Sequence, residues 1–122
     1  MIKITFCLRR LPSMTRDAFQ DYWLNRHGPL VKSHREVLRM RRYVQLHSGF
    51  DDITEKVAAA RGAPAPFDGV AQLWWDSLDD LTASGRTPEG RAAGKALIED
   101  ERKFIDLANS PLWFGREHVI FE

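Results

Sequence analysis

Residues 70–75, VAQLWW, constrain the fold more than any other stretch. Successive side chains of a strand point to opposite faces, so Val70 and Trp74 share one face while Leu73 and Trp75 share the other. A strand apolar on both sides belongs to a sheet that must be covered twice. Ile2, Ile4, Phe6 and Leu8 alternate with Lys3, Thr5, Cys7 and Arg9, the period of two expected of another strand. RRYVQLHS (41–48) and WFGREHVIFE (113–122) supply two more.

The intervening segments change to helical spacing. Thr15 can cap a helix in which Phe19, Tyr22, Trp23, Arg26 and His27 recur at i, i+3, i+4, i+7 and i+8. Pro29 biases Gly28 away from helical torsions, so this helix is expected to stop or kink there, with Pro29 opening a second stretch to about Arg39. Acidic DDITEKVAAA (51–60) reads as a short helix and GAPAPFDG (62–69) as a loop. Ser77 and Asp80 have capping-box-like spacing, and Thr87-Pro88-Glu89 starts a last helix expected to run to about Ala108 before Ser110-Pro111 breaks it. The resulting order, β-α-β-β-α-β, predicts an α+β fold of the ferredoxin-like split βαβ type with an antiparallel sheet, as a single domain over 1–122. Helices then cover one face only. A second subunit is the expected cover of the other, giving a dimeric α+β barrel and a homodimer.

Length suits one domain, and 43% hydrophobic with 29% charged residues is a globular balance. No run approaches the roughly 18 apolar residues needed to span a bilayer, and MIKITFCLRR lacks a small-residue cleavage site. With Cys7 as the single cysteine, no internal disulfide can form. The expectation is a cytoplasmic protein that contacts no membrane. Residues 1–50 carry ten Lys/Arg against three acids and residues 51–122 eight against fourteen, about +7 and −6. Without an RNP-type aromatic strand motif, the basic half predicts no nucleic-acid partner.

The chemistry concentrates in WLNRHGPLV, 23–31. His27, at a helix end, is placed either to benefit from the macrodipole or to act as an acid/base looking into a cavity between helix and sheet. Trp23, one turn earlier, would wall such a cavity. Arg26 lies on the face of Phe19 and Tyr22, where an unpaired charge is costly and a carboxylate substrate would satisfy it. Asn25 is off the apolar stripe and joins a site only if the helix unwinds before Gly28. His34, His47 and His118 read as hydrogen-bonded structural histidines, and Cys7 as a small buried hydrophobe. There is no Cys-x-x-Cys, His-Glu-x-x-His, Gly-x-Ser-x-Gly or glycine-rich phosphate loop, so neither a metal nor a cofactor is expected.

The pattern F-x-x-Y-W-x-x-x-H-G-P-L from Phe19 to Leu30 resembles the signature of the EthD-domain family, and DERKFIDLANSPLWFGREHVI (100–120) resembles the acidic-aromatic close of those domains. The resemblance covers nearly the whole chain and implies a dimeric α+β barrel. That superfamily is functionally mixed, holding cofactor-independent decarboxylases, dehydratases, cyclases, lactone isomerases, ester hydrolases and some monooxygenases. It implies that His27 is the general acid/base, which points to a cofactor-independent enzyme acting on an oxygenated carbonyl or enol metabolite of aromatic catabolism or polyketide-like metabolism. Arg26 and Asn25 would hold the oxygens of an anionic small-molecule substrate, with Trp23, Tyr22 and Phe6 lining its site. Hydrolysis of a small ester or lactone is the rival within the enzyme class, and a non-catalytic ligand-binding accessory protein the rival outside it.

Overall fold

The computed structural model describes residues 1–122. Four strands, β1 (Ile2–Leu8), β2 (Arg42–His47), β3 (Gly69–Trp75) and β4 (Leu112–Gly115), form one antiparallel sheet in the order β2-β3-β1-β4. This is the expected α+β ferredoxin-like arrangement. The helices are α1 (Arg16–Tyr22), α2 (Gly28–Ser33), α3 (Asp51–Arg61), α4 (Leu78–Ala83) and α5 (Pro88–Glu101). Three of them begin where a side chain satisfies a free backbone N–H: Thr15 accepts from Ala18, Ser77 from Asp80, and Thr87 from Gly90.

The register places Ile4 opposite both Leu73 and Phe114, and Tyr43 opposite Leu73, so these share the helix-covered face. There Phe6, Leu8, Phe19, Trp23, Ala71, Phe104 and Ile105 form one buried cluster, and Val31, Leu38, Met40, Trp75 and Ala93 a second. Trp23 lies flat enough on the sheet that a side chain at Gly69 would strike its ring and come 2.7 Å from the Leu46 carbonyl oxygen.

The other face carries Thr5, Cys7, Val44, Leu46, Val70, Gln72, Trp74 and Trp113. Trp74 is covered by Lys3 and Arg42 over its ring and by Glu117, which accepts from its indole N–H. Leu46 is 63% exposed and Trp113 53%, so no helix covers this face at its β2 and β4 edges, while Cys7 and Trp74 between them are buried. No helix is long and apolar enough to cross a membrane.

Four boundaries differ from expectation. The helix does not stop at Gly28: that residue is right-handed helical (φ −53, ψ −52), and a π turn over Trp23–His27 joins α1 directly to α2. The Gly28 N–H donates to the Trp23 carbonyl, five residues back, and the widened turn accommodates the ring and missing N–H of Pro29. α2 ends at Ser33 rather than Arg39; turns follow, and Arg39 takes a left-handed conformation (φ 55) before β2. α5 ends at Glu101 rather than Ala108: a turn over 102–104 follows, and the chain then bonds to the segment after β1, where Leu11 donates to Phe104 and Arg9 accepts from Asp106. β4 spans four residues, not the ten of 113–122, and beyond it Glu117 reaches Lys3 and Trp74.

Candidate active site

The π turn carries His27 inward, where it is 5% exposed with its ring 5.0 Å from that of Phe104. Asp100, near the end of α5, receives it. His27 Nδ1 lies 2.8 Å from Asp100 Oδ2, the Tyr22 hydroxyl donates to Oδ1 at 2.6 Å, and Lys103 Nζ stands 3.4 Å from the same oxygen. Burial alone would raise the Asp100 pKa, but the bonds from Tyr22 and His27 outweigh it and hold the group below its ordinary value. Asp100 is therefore a carboxylate, an acceptor at both oxygens, and Nδ1 of His27 is the donor.

Burial pushes the His27 pKa below 6.5, with Asp100 opposing part of the effect, so the ring is neutral at pH 7. Its proton sits on Nδ1 and its lone pair on Nε2. Nε2 has no hydrogen-bond partner within the chain and is not fully enclosed, the residue being 5% exposed and outside the lining of the cleft between α2 and β2. A neutral imidazole oriented by a carboxylate, with its second nitrogen free, is the equipment of a general base that becomes a general acid once protonated.

Glu101 lies beside this pair. Burial, with the Asp100 charge adding to it, pushes its pKa up to about 7. It makes no side-chain hydrogen bond, and its charge helps burial raise the pKa of Tyr43 on β2. Two adjacent carboxyls are thus set apart: one bonded and ionised, the other desolvated and half-protonated near neutrality.

Tyr43 begins a polar row along the edge strand. The Gln45 amide donates to the Tyr43 hydroxyl at 2.6 Å and to the Trp23 carbonyl at 2.9 Å, and His47 Nε2 lies 2.7 Å from Gln45 Oε1. His47 also stacks on Trp23 with ring centroids 4.4 Å apart. This row floors a cleft of about 760 Å³ between α2 and β2.

Of the residues singled out from sequence, His27 and Tyr22 meet at Asp100. Trp23 and Phe6 are core: Trp23 is 1% exposed and Phe6 packs in the same cluster, so Trp23 walls no cavity. Asn25 and Arg26 do not join His27. Both are exposed, and Asn25 donates to Asp21 at 2.9 Å, because the turn does not unwind and position 26 falls on the outer side. His34 is half-buried at the end of α2, His118 exposed beyond β4, and Cys7 buried within β1. No three His, Cys, Asp or Glu side chains converge to hold a metal ion. Asp100, Glu101 and the Tyr43–Gln45–His47 row were not anticipated. The signal for the acids was present, since Ala93, Leu97, Asp100, Glu101 and Phe104 have helical spacing that places two carboxyls on an apolar stripe.

The chain is similar to known proteins along most of its length. A curated protein of Claviceps purpurea (strain 20.1), named "Decarboxylase", is 25% identical over 124 residues, covering 96% of this chain and 84% of that one. The crystal structure of an EthD family protein from Bacillus halodurans C-125 superposes with a TM-score of 0.62 at 24% identity, covering 97% and 99% of the two chains. A dimeric protein of unknown function and ferredoxin-like fold from Bacteroides fragilis NCTC 9343 gives a TM-score of 0.57 at 12% identity, covering 95% of each chain. The EthD domain model matches residues 11–108, which include the His27 turn, the edge strand and the Asp100–Glu101 pair. The chain belongs to the EthD-domain family.

Proposed function

We propose that this protein is a cofactor-independent enzyme that moves protons on a small oxygenated carbonyl or enol compound, with decarboxylation of an enolisable or ortho-hydroxylated carboxylic acid as the reaction that fits best. The observation that carries the reading is the Tyr22–Asp100–His27 chain, which fixes one nitrogen of a buried imidazole and leaves the other free. Nε2 would take the proton from the substrate's hydroxyl or enol and later return one to the carbon that loses carbon dioxide. Asp100 stabilises the imidazolium formed between these steps. Glu101, with a pKa of about 7, is suited to supply a second proton. The name of the Claviceps relative supports decarboxylation over isomerisation or dehydration.

The active form is proposed to be a homodimer. Its support is the open apolar face bearing Leu46, Val70 and Trp113, together with the dimeric state of the Bacteroides protein. Pairing two such faces closes the α+β barrel.

The test is carbon dioxide release from a panel of β-keto acids and ortho-hydroxybenzoates before and after dialysis against EDTA. Turnover is expected in both cases, with a loss of about a hundredfold or more in His27→Gln. Full turnover by a folded His27→Gln protein, or turnover that depends on added metal, overturns the reading.

A further inference from the structure

The cleft between α2 and β2 has a polarity along its length. The helical segment runs antiparallel to β2: Trp23 stacks on His47, and Gly28 lies over Gln45, its position for a Cβ 3.3 Å from the amide nitrogen. Lys32, Arg35 and Arg41 therefore gather at the Arg42 end, and Leu24 and His47 lie at the other. At about 3.3 Å per residue, the five steps from Arg42 to His47 span about 17 Å, room for a two- or three-ring molecule with its substituents.

Its charge is one-sided. The lining includes Lys32, Arg35, Arg41 and Arg42 and no carboxylate. Some surface arginines elsewhere pair with acids, Arg16 with Asp51 at 2.7 Å and Arg39 with Asp80 at 2.9 Å, while others such as Arg61 and Arg91 bond only backbone carbonyls and stand singly rather than around a concavity. Lys32 and Arg35 have no ion pair, Arg41 has a longer one to Asp76 at 3.5 Å, and Arg42 lies over the Trp74 ring. Lys32, Arg35 and Arg41 place three like charges around one concavity, Arg42 carrying its guanidinium to the Trp74 face of the sheet, and the three repel each other and focus a positive potential into it. An anion relieves both effects.

We propose that this cleft binds an amphipathic organic anion, its charged group held by Lys32, Arg35 and Arg41 and its apolar body extending past Val31 towards Leu24 and His47. The floor suits an oxygenated ring. Gln45 and His47 present polar atoms already oriented by hydrogen bonds, which hold the edge-strand row in place before a ligand arrives. The cations are at a different place from the sequence-level candidate: the anion is met not by Arg26, which faces solvent, but by residues from the end of α2 and the start of β2. The inference does not depend on the chemistry at His27, because binding is read without turnover.

The probe is 1-hydroxy-2-naphthoate, with its methyl ester as the uncharged counterpart, titrated calorimetrically into the full chain. One site per chain is expected for the acid, weakening as salt is raised, with the ester bound at least tenfold more weakly. Lys32→Glu with Arg35→Glu should weaken the acid at least tenfold while leaving the ester unchanged. Arg91→Glu, a charge reversal outside the cleft, should change neither. Circular dichroism and melting temperature establish that each variant is folded. Equal affinity for acid and ester, an equal loss in Arg91→Glu, or no binding by the parent protein overturns the proposal. If the parent does not bind and the double reversal instead changes the oligomeric state, the cleft is a subunit contact and the proposal is equally overturned.

Discussion

His27 Nδ1 and Asp100 Oδ2 are 2.8 Å apart, joining the π turn after α1 to the last turn of α5 across 73 residues of sequence. The bond determines which nitrogen of the imidazole is free to react. Asp100→Asn removes the charge that stabilises the imidazolium and lets the ring adopt either tautomer. The expected outcome is a fall in kcat of about a hundredfold, with KM changed far less, because the interaction matters most once charge develops. Steady-state kinetics on a substrate found in the carbon dioxide panel check it.

Two groups give stability opposite dependences on pH. Glu101 has a folded pKa of about 7 against an ordinary 4.5, so over that interval the folded state holds a proton that the unfolded chain has released. Its contribution is present below about 4.5 and is lost as pH rises through about 7. His27 is displaced below 6.5, so its neutral form is favoured by folding, and stability is lost as pH falls from 6.5 towards the folded value. Glu101→Gln removes the first effect alone. Its melting temperature should match the parent's near pH 4.5 and exceed it at pH 8, by the equivalent of about 1–3 kcal/mol. Thermal melts at the two pH values measure the difference.

Gly69 is required by packing rather than by backbone torsion. A methyl there would meet the Trp23 ring and approach the Leu46 carbonyl oxygen to 2.7 Å; the first is held in the core and the second belongs to the paired backbone of β2 and β3. Gly69→Ala should destabilise by about 1–3 kcal/mol, the scale of overpacking, with urea denaturation as the measurement.

Val70 lies at the start of β3 on the open face, opposite Cys7 and Leu46. A lysine there places an unpaired charge in the middle of the proposed subunit interface. Val70→Lys should sediment as a monomer at concentrations where the parent sediments as a dimer, while keeping its far-ultraviolet circular dichroism.

What could be read from the sequence was local. Alternation in Ile2–Leu8 and VAQLWW gave two strands and their two faces, because side-chain direction in a strand depends only on parity. Thr15, Ser77 and Thr87 marked three helix starts, because a cap bonds to a backbone N–H three residues away. The spacing of Phe19, Tyr22, Trp23 and His27 placed the histidine inward for the same reason. Packing between distant segments decided the rest. Gly28-Pro29 looked like a break, yet a π turn carries the helix across it, a choice made where Trp23 rests on Gly69 and Gln45 caps its carbonyl. Asp100 and Glu101 are neighbours with identical local patterning; which one is ionised depends on Tyr22 and His27, far away in sequence, reaching only the first. Hydrogen-bond partners and desolvation are properties of a three-dimensional neighbourhood, so tertiary structure alone turned a legible histidine into an oriented base and sent Arg26 to the solvent.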